Sequence, residues 1–406
     1  MPSDYNKIRD DNIREYGTGT RHLAFLGRLY TDRTHFIFEL LQNAEDAGAS
    51  RIQFNVFANK LEVTHDGRPF DETDVKGVCG VDDGTKSGDL TQIGKFGIGF
   101  KSVYAYTSKP EIHSGDESFR IENYVRPYTV EPRRADGPWT TLFVFVFNAD
   151  GVNPDTASQE ICMRLRNLSA RTLLFLRNIE EIKYVLPELT NGIYIRNKVT
   201  HKSVRKITVI GQTNGKDENE SWLIFERVVS ESDKICVEIG FRIGSNTKDQ
   251  IEQIIKVNDA PLIVYFPTEK YTRLGFLIQG PYQTTPARDN IPKDNDWNKK
   301  LINETAQLVV DSLHDLKEMG LLTVSLLETL PIRMDDFPRD GMFYPIVVAV
   351  REALTEEELL PADDGTFASA RNAKLARGAE LIKLLNQDQL RSLFQSTYTI
   401  KWLSDE

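Results

Sequence analysis

The chain has 406 residues, enough for two or three domains at roughly 150 residues each, every one able to bury its own core. With 50 basic against 60 acidic residues the net charge is -10, which opposes a uniformly basic nucleic-acid-binding surface and leaves room only for a local basic patch. Apolar runs such as LFVFVF at 142–147 are too short to span a bilayer, and the charged start MPSDYNKIRDDNIREYG lacks the apolar core of an export signal. Cys79, Cys162 and Cys236 lie far apart without C-x-x-C spacing, and the 6 histidines include no H-E-x-x-H pattern. The expectation is a cytoplasmic, unexported protein with no membrane partner, reduced thiols, no disulfide frame and no zinc site.

Residues 1–33 mix charge with a weak apolar pattern (Leu23, Phe25, Leu26, Leu29), which predicts a leading helix without chemistry of its own. The next stretch, THFIFELLQNAEDAGA at 34–49, predicts the helix around which the first part is organised. Counting about 100° per residue from Glu39, Asn43 falls about 40° to one side and Asp46 about 20° to the other. Phe36, Ile37, Leu40, Leu41, Ala44 and Ala47 fill a separate arc suited to packing on a sheet. Carboxylate, amide and carboxylate then share one stripe, an arrangement suited to a hydrated hard cation and to activating water. A polar stripe alone is also what any surface helix shows.

RIQFNVF at 51–57 and LEVTH at 61–65 alternate around an Asn59-Lys60 turn and predict a hairpin, which runs into Asp66-Gly67-Arg68-Pro69-Phe70. DETDVKGVCGVDDGTKSGDLTQ at 71–92 predicts a short helix followed by a loop of lid composition. IGKFGIGFKSVYAYT follows, with Gly94, Gly97 and Gly99 ahead of a helical run beginning near Phe100. Glycines before a helix let backbone N–H groups approach phosphate oxygens. The pattern is not a Walker loop, and it does not directly follow a strand as a dinucleotide fingerprint does.

An E-x-x-x-N-x-x-D-A helix (Glu39, Asn43, Asp46, Ala47), a D-G turn, a loop and G-x-F-G-x-G-F in this order resemble the Bergerat ATP-binding fold of the GHKL superfamily, which includes heat-shock chaperones, MutL, gyrase B, MORC proteins and histidine kinases. The spelling ELLQNAEDA, HDGRPF and IGKFGIGFKSVY is most similar to the sacsin-type branch. The resemblance implies an α/β (α+β) fold, a Bergerat sandwich of mixed sheet covered by helices, followed by an α/β middle domain. It implies that Glu39 is the general base, Asn43 the Mg²⁺ ligand and Asp46 its polar support. Gly94, Lys95, Phe96, Gly97, Ile98, Gly99 and Phe100 become the phosphate cradle, followed by Lys101 and Ser102. Lys86 resembles a lid lysine reaching the terminal phosphate, and Thr141 a strand threonine that binds adenine through water. Where the family has D-x-G-x-G, this chain has His65 in the aspartate's place and Asp66 directly before Gly67. Either could read adenine; Asp66 is the favoured reader.

Residues 151–190 read as a helix and strand closing a first domain, 1–190, after which 191–278 is strand-rich. HKSVRK at 201–206 reads as a solvated strand face, since no aromatic residues interleave with its charges. In GPYQTTPARDNIPKDNDWNKKL, Arg288 precedes a long amphipathic helix beginning near Trp297. A loop arginine commonly just pairs with a neighbour such as Asp289. The segment also resembles the heat-shock middle-domain loop that brings an arginine onto the γ-phosphate, which makes Arg288 the second catalytic residue of a middle domain, 191–320. A mainly helical extension, 321–406, resembles the region after the ATPase unit of sacsin-type proteins, and the chain reads as a fragment of a longer protein.

The expected function is Mg²⁺-dependent ATP binding and slow hydrolysis driving lid and domain closure, in a chaperone-like or defence-type ATPase. Two alternatives stand beside it: a nucleotide-gated scaffold with little hydrolysis, and a DNA-processing ATPase of the MutL or MORC kind. Expected partners are ATP and ADP, with a second copy of the chain, a protein client or DNA engaged through further regions.

Overall fold

The computed structural model describes residues 1–19, 23, 32–81, 99–187, 190–213, 216–230, 235–245, 251–284 and 291–404. The chain divides into two compact units, residues 1–197 with 208–219, and residues 198–207 with 220–406. Both combine helices with sheets of mixed strand direction, an α+β organisation.

In the first unit a leading helix, α1, spans Tyr5–Tyr16 and is capped by Asp4, whose side chain accepts from Lys7 N. It buries Tyr5, Ile8 and Asn12 on one face. Leu23 is buried, while Phe25, Leu26 and Leu29 lie outside the described residues. Helix α2, Phe36–Asp46, follows a 3-10 turn in which the Asp32 carboxylate accepts from Thr34 N at 2.8 Å and Thr34 Oγ1 at 2.6 Å. The glycine after it, Gly48, has φ +69°, the left-handed conformation that ends a helix at low cost.

The predicted hairpin is β1 (Arg51–Val56) and β2 (Lys60–His65), with α3 (Glu72–Cys79) after it. Strands β3 (Glu111–Ser114), β4 (Glu117–Glu122), β5 (Arg126–Thr129) and β6 (Thr141–Val146), helix α4 (Pro154–Arg166), and strands β7 (Glu181–Val185) and β8 (Asn191–His201) complete this unit's named elements. The order is β8-β7-β1-β2-β6-β3-β4-β5, with β1 and β7 parallel and the other neighbours antiparallel. Register aligns Phe54, Val63 and Phe143 in one row across three strands, and Val56, Leu61 and Phe145 in the next. Phe36 of α2 meets Phe145 with ring centroids 6.3 Å apart, and Phe100 meets Phe143 at 6.1 Å. The aromatic pair on β6 therefore fixes the height of both α2 and the Phe100 turn above the sheet.

One acid outside the predicted stripe anchors α2. Glu45 is 2% exposed, and its carboxylate accepts from three successive backbone groups, Arg177 N at 2.6 Å, Asn178 N at 2.8 Å and Ile179 N at 2.9 Å. The loop before β7 thus grips the C-terminal half of the helix.

Strands β9 (Val204–Thr213) and β10 (Lys216–Ser230) each divide between the two units, and the second continues with β11 (Ile235–Ser245), β12 (Glu252–Ile255), β13 (Pro261–Val264), β14 (Phe266–Tyr271) and β15 (Leu277–Gln279). Helices α5 (Asp296–Glu318), α6 (Val324–Leu327) and α7 (Tyr344–Glu356) follow. Phe225, Phe241 and Phe276 from the strands, Leu301, Val309 and Leu313 from α5, and Val347 and Val350 from α7 share one buried core. No helix among the described residues is long and apolar enough to cross a membrane.

Glu45→Gln replaces one accepting oxygen by an NH₂ group facing backbone N–H donors that are already buried. The expected loss is about 3 kcal/mol of unfolding free energy, read by urea denaturation.

Candidate functional site

Strand register builds the floor. Ile52, His65, Thr141 and Ser114 stand opposite one another across β1, β2, β6 and β3. This row continues the alternation of the Phe143 and Phe145 rows, so it lies on the sheet face that carries α2. Thr141 is 1% exposed and its Oγ1 is 2.6 Å from Ser114 Oγ, which in turn accepts from Phe70 N at 2.9 Å.

Helix α2 forms the wall. Every residue from Phe36 to Glu45 is buried, Glu39 at 6% and Asn43 at 5%, while Asp46 is half-buried. The stripe is therefore an enclosed one, unlike the open face of an ordinary surface helix. A Cβ added to Gly99 would lie 1.9 Å from Glu39 Oε2 and 2.6 Å from its Cδ. The last glycine of the G-x-F-G-x-G box thus lets its backbone reach the Glu39 carboxylate, which a side chain there would block. On the other side, Glu39 Oε1 stands 3.5 Å from His35 Nε2.

The D-G turn docks under the far end of the same helix. A Cβ on Gly67 would fall 2.8 Å from Ala47 O, and Arg68 N donates to that carbonyl at 2.8 Å. Arg68 also pairs with Asp74 of α3 through both guanidinium nitrogens, at 2.5 and 2.8 Å.

His65 and Asp66 are placed differently. Both Asp66 oxygens are taken: Oδ1 accepts from Ser50 N at 2.8 Å and Arg51 N at 2.9 Å, and Oδ2 from Ser50 Oγ at 2.7 Å and Arg51 Nε at 3.0 Å. Burial alone would raise its pKa, but these donors hold it below the usual carboxylate range. The residue favoured above as adenine reader is thus committed to closing the start of β1. His65 is 1% exposed, and its Nδ1 accepts from Gly67 N at 3.1 Å, which fixes a neutral ring with the proton on Nε2. Burial lowers its pKa to about 4 against an opposing pull from Asp66.

Two residues of the glycine box depart from the phosphate-binding expectation. The fully buried Lys101 donates from Nζ to Val78 O and to Tyr124 O, each at 2.5 Å, and Ser102 Oγ closes a local turn onto Gly99 O at 2.6 Å. Phe100 is core, 2% exposed. Lys86, Gly94, Lys95, Phe96, Gly97, Ile98 and Arg288 lie outside the described residues. The flanks of the Arg288 stretch are described, and Asn298 at the start of α5 ties them together. Its Oδ1 accepts from Gln283 N at 2.8 Å, and its Nδ2 donates to Gln283 O and to Pro292 O, each at 3.0 Å.

Glu45 and Ser114 in the first unit, and Asn298 beside the Arg288 stretch in the second, are structuring residues that sequence reasoning did not pick out. Glu45 had a signal, being an acid well off the polar stripe; Ser114 and Asn298 had none, because their partners are set by strand register and loop closure. Gln42 is the odd member of α2: it is 0% exposed, and among the described residues neither its Oε1 nor its Nε2 has a hydrogen-bond partner.

Residues 63–123, which hold the D-G turn and the glycine box, match the model of the Sacsin domain family. Protein NO VEIN of Arabidopsis thaliana is 26% identical over 330 residues, covering 73% of this chain and 12% of that protein. Sacsin of Homo sapiens is 24% identical over 440 residues, covering 80% of this chain and 10% of that protein. The chain is similar to sacsin-type proteins and spans about a tenth of the length of these curated relatives. A crystal structure of the N-terminal domain of a DNA repair protein aligns with 66% of this chain and 90% of that one at 13% identity and a TM-score of 0.40, too loose a likeness to define the fold.

Because His65 is held neutral in the fold and has an unfolded pKa near 6.5, the unfolded chain binds the extra proton between that value and about 4. Its contribution is complete above pH 6.5 and is lost as pH falls. Wild type should lose roughly 2 to 3 kcal/mol more stability between pH 7 and 4.5 than His65→Phe, measured by urea unfolding at both pH values. Gln42→Leu should raise stability by roughly 1 to 3 kcal/mol in the same assay, since it removes two buried unpaired polar groups.

Proposed function

We propose that the first unit binds Mg²⁺ and ATP against α2 and the glycine box, and that Glu39 activates water for slow hydrolysis of the γ-phosphate, in a Bergerat-type arrangement. The observation that carries this reading is the approach of Gly99 to the Glu39 carboxylate, since it brings the first and third boxes of the pattern together at the catalytic acid. Glu39 takes a proton from water as its oxygen attacks the γ-phosphorus; the bond from that phosphorus to the bridging oxygen breaks, leaving ADP and phosphate. Asn43 would hold Mg²⁺ through its amide oxygen, a hard donor fit for that ion, with Asp46 supporting; the ion supplies charge neutralisation on the phosphates. Among the described residues no group of three or more His, Cys, Asp and Glu is arranged to hold a metal, so most of the ion's ligands would come from phosphate and water.

For the base we assign His65 instead of Asp66, because Asp66 already has four donors while the His65 Nε2–H is a donor on the Thr141 row. A donor there suits a ring nitrogen of adenine, where the family's aspartate accepts from the amino group. Thr141 with Ser114 supplies a hydroxyl pair beside it. Slow turnover of this kind would serve as a conformational timer for a protein client.

Glu39→Ala should keep Mg·ATP binding and lower steady-state phosphate release by about 10²-fold or more, and Asn43→Ala should remove the Mg²⁺ dependence of binding. Arg288→Ala is expected to slow turnover with little change in affinity. Unchanged hydrolysis in the Glu39 variant would sink the general-base assignment.

A further inference from the structure

A fully buried lysine is costly, because its ammonium loses its water; burial here pulls Lys101 down to about 8, with Cys79 opposing. A leucine or methionine would fill the same space without that cost. The charge is therefore kept for what its hydrogens do, and they meet two carbonyls far apart in sequence, Val78 and Tyr124.

Those two carbonyls belong to a pair of facing backbone stretches. Val78 and Cys79 end α3, where the last carbonyls of a helix have no partner within it. Tyr124 and Val125 follow Asn123, and Asn123 and Tyr124 carry positive φ values of 50° and 69°, a conformation non-glycine residues avoid. Lys101 joins the first of each pair, and Asn12 of α1 joins the second: its Nδ2 donates to Cys79 O at 3.1 Å and to Val125 O at 2.7 Å. One turn further along α1, the Tyr16 hydroxyl accepts from Val81 N at 3.1 Å and donates to Val81 O at 3.3 Å. Leu23, Val125, Tyr16, Val81 and Tyr124 close a small apolar cluster around these bonds.

Val81 and Gly99 flank residues 82–98, which include Gly94 and Gly97 of the glycine box. The Lys101–Val78 bond therefore cross-links the exit and return of that segment, and α1 holds the exit from the other side. We propose that Lys101, Asn12 and Tyr16 form a clamp that fixes the two stems of the glycine-bearing segment and thereby sets nucleotide affinity, as positioning residues that do not themselves touch the nucleotide. This rests on the ATP reading above. It makes the position of α1 a determinant of nucleotide affinity, through Asn12 and Tyr16 on one helical face.

The test uses the whole chain with three variants: Tyr16→Phe, which removes one half-buried hydroxyl, Asn12→Leu, and Lys101→Met. Mg·ATP affinity is measured by calorimetry, turnover by phosphate release, and the stem by hydrogen exchange at residues 78–81. Tyr16→Phe should keep wild-type melting behaviour, exchange faster at Val81 and bind Mg·ATP roughly 3- to 10-fold more weakly, the equivalent of one lost hydrogen bond, with kcat at saturating ATP unchanged. Lys101→Met, where folded, should weaken binding at least about tenfold. Faster exchange at Val81 with wild-type affinity overturns the proposal, as does a kcat loss at unchanged affinity. A wild-type chain that binds no Mg·ATP overturns the ATP reading instead, and the exchange data then report on the clamp by themselves.

Discussion

Helix α2 is buried from Phe36 to Glu45 yet carries Glu39, Gln42, Asn43 and Glu45 within about two turns of one another, and the first unit is arranged to make that tolerable. The chain approaches it at both ends through residues with no side chain. Gly99 meets the Glu39 carboxylate near the start, and Gly67 meets the Ala47 carbonyl at the finish. An alanine at Gly67 would press on the Ala47 backbone, and one at Gly99 would displace the Glu39 carboxylate. The two glycine boxes of the sequence are thus one packing constraint, which holds the polar stripe at a fixed distance from the backbone that surrounds it.

Several charges in this unit are met by converging donors or acceptors from other segments. Glu45 takes three backbone N–H donors, Asp66 takes four donors from two adjacent residues, and Glu117 accepts from Ser3 N, Ser3 Oγ and Tyr5 Oη. Lys101 is the cationic counterpart, with backbone carbonyls in place of N–H groups. Each such group loses hydration worth several kcal/mol and recovers it only if every partner stays in place, so each ties together segments distant in sequence. Glu39, by contrast, faces the Gly99 backbone on one side and His35 Nε2 at 3.5 Å on the other.

Local pattern carried part of the secondary structure. Alternation marked β1 and β2, turn chemistry the D-G stop, and helical spacing α2 and the start of α5, while β3, β4 and β5 had no clear local signal. The wheel grouped Glu39, Asn43 and Asp46 but could not say that the first two would be enclosed, since burial depends on what packs above the helix. The family resemblance set Lys101 just after the phosphate cradle, and only the fold shows two carbonyls converging on its Nζ from α3 and the Tyr124 turn. Partners fixed by register, such as Ser114 beside Thr141, have no local signature at all.

The contrast between His65 and Asp66 follows from strand geometry. Side chains alternate faces along β2, so His65 and Asp66 cannot both address the α2 side of the sheet. His65 shares its row with Ile52 and Thr141, on the face beneath α2. Asp66, one step on, is turned to Ser50 and Arg51 at the point where α2's loop enters β1. A shift of one residue in the position of the acid relative to Gly67 therefore exchanges a carboxylate acceptor at the floor of the site for a neutral imidazole, while the glycine stays where the helix terminus requires it. The Glu39 and Gly99 end is insulated from that exchange, because its geometry is set by α2 and the Phe143 and Phe145 rows instead of by the last residue of β2.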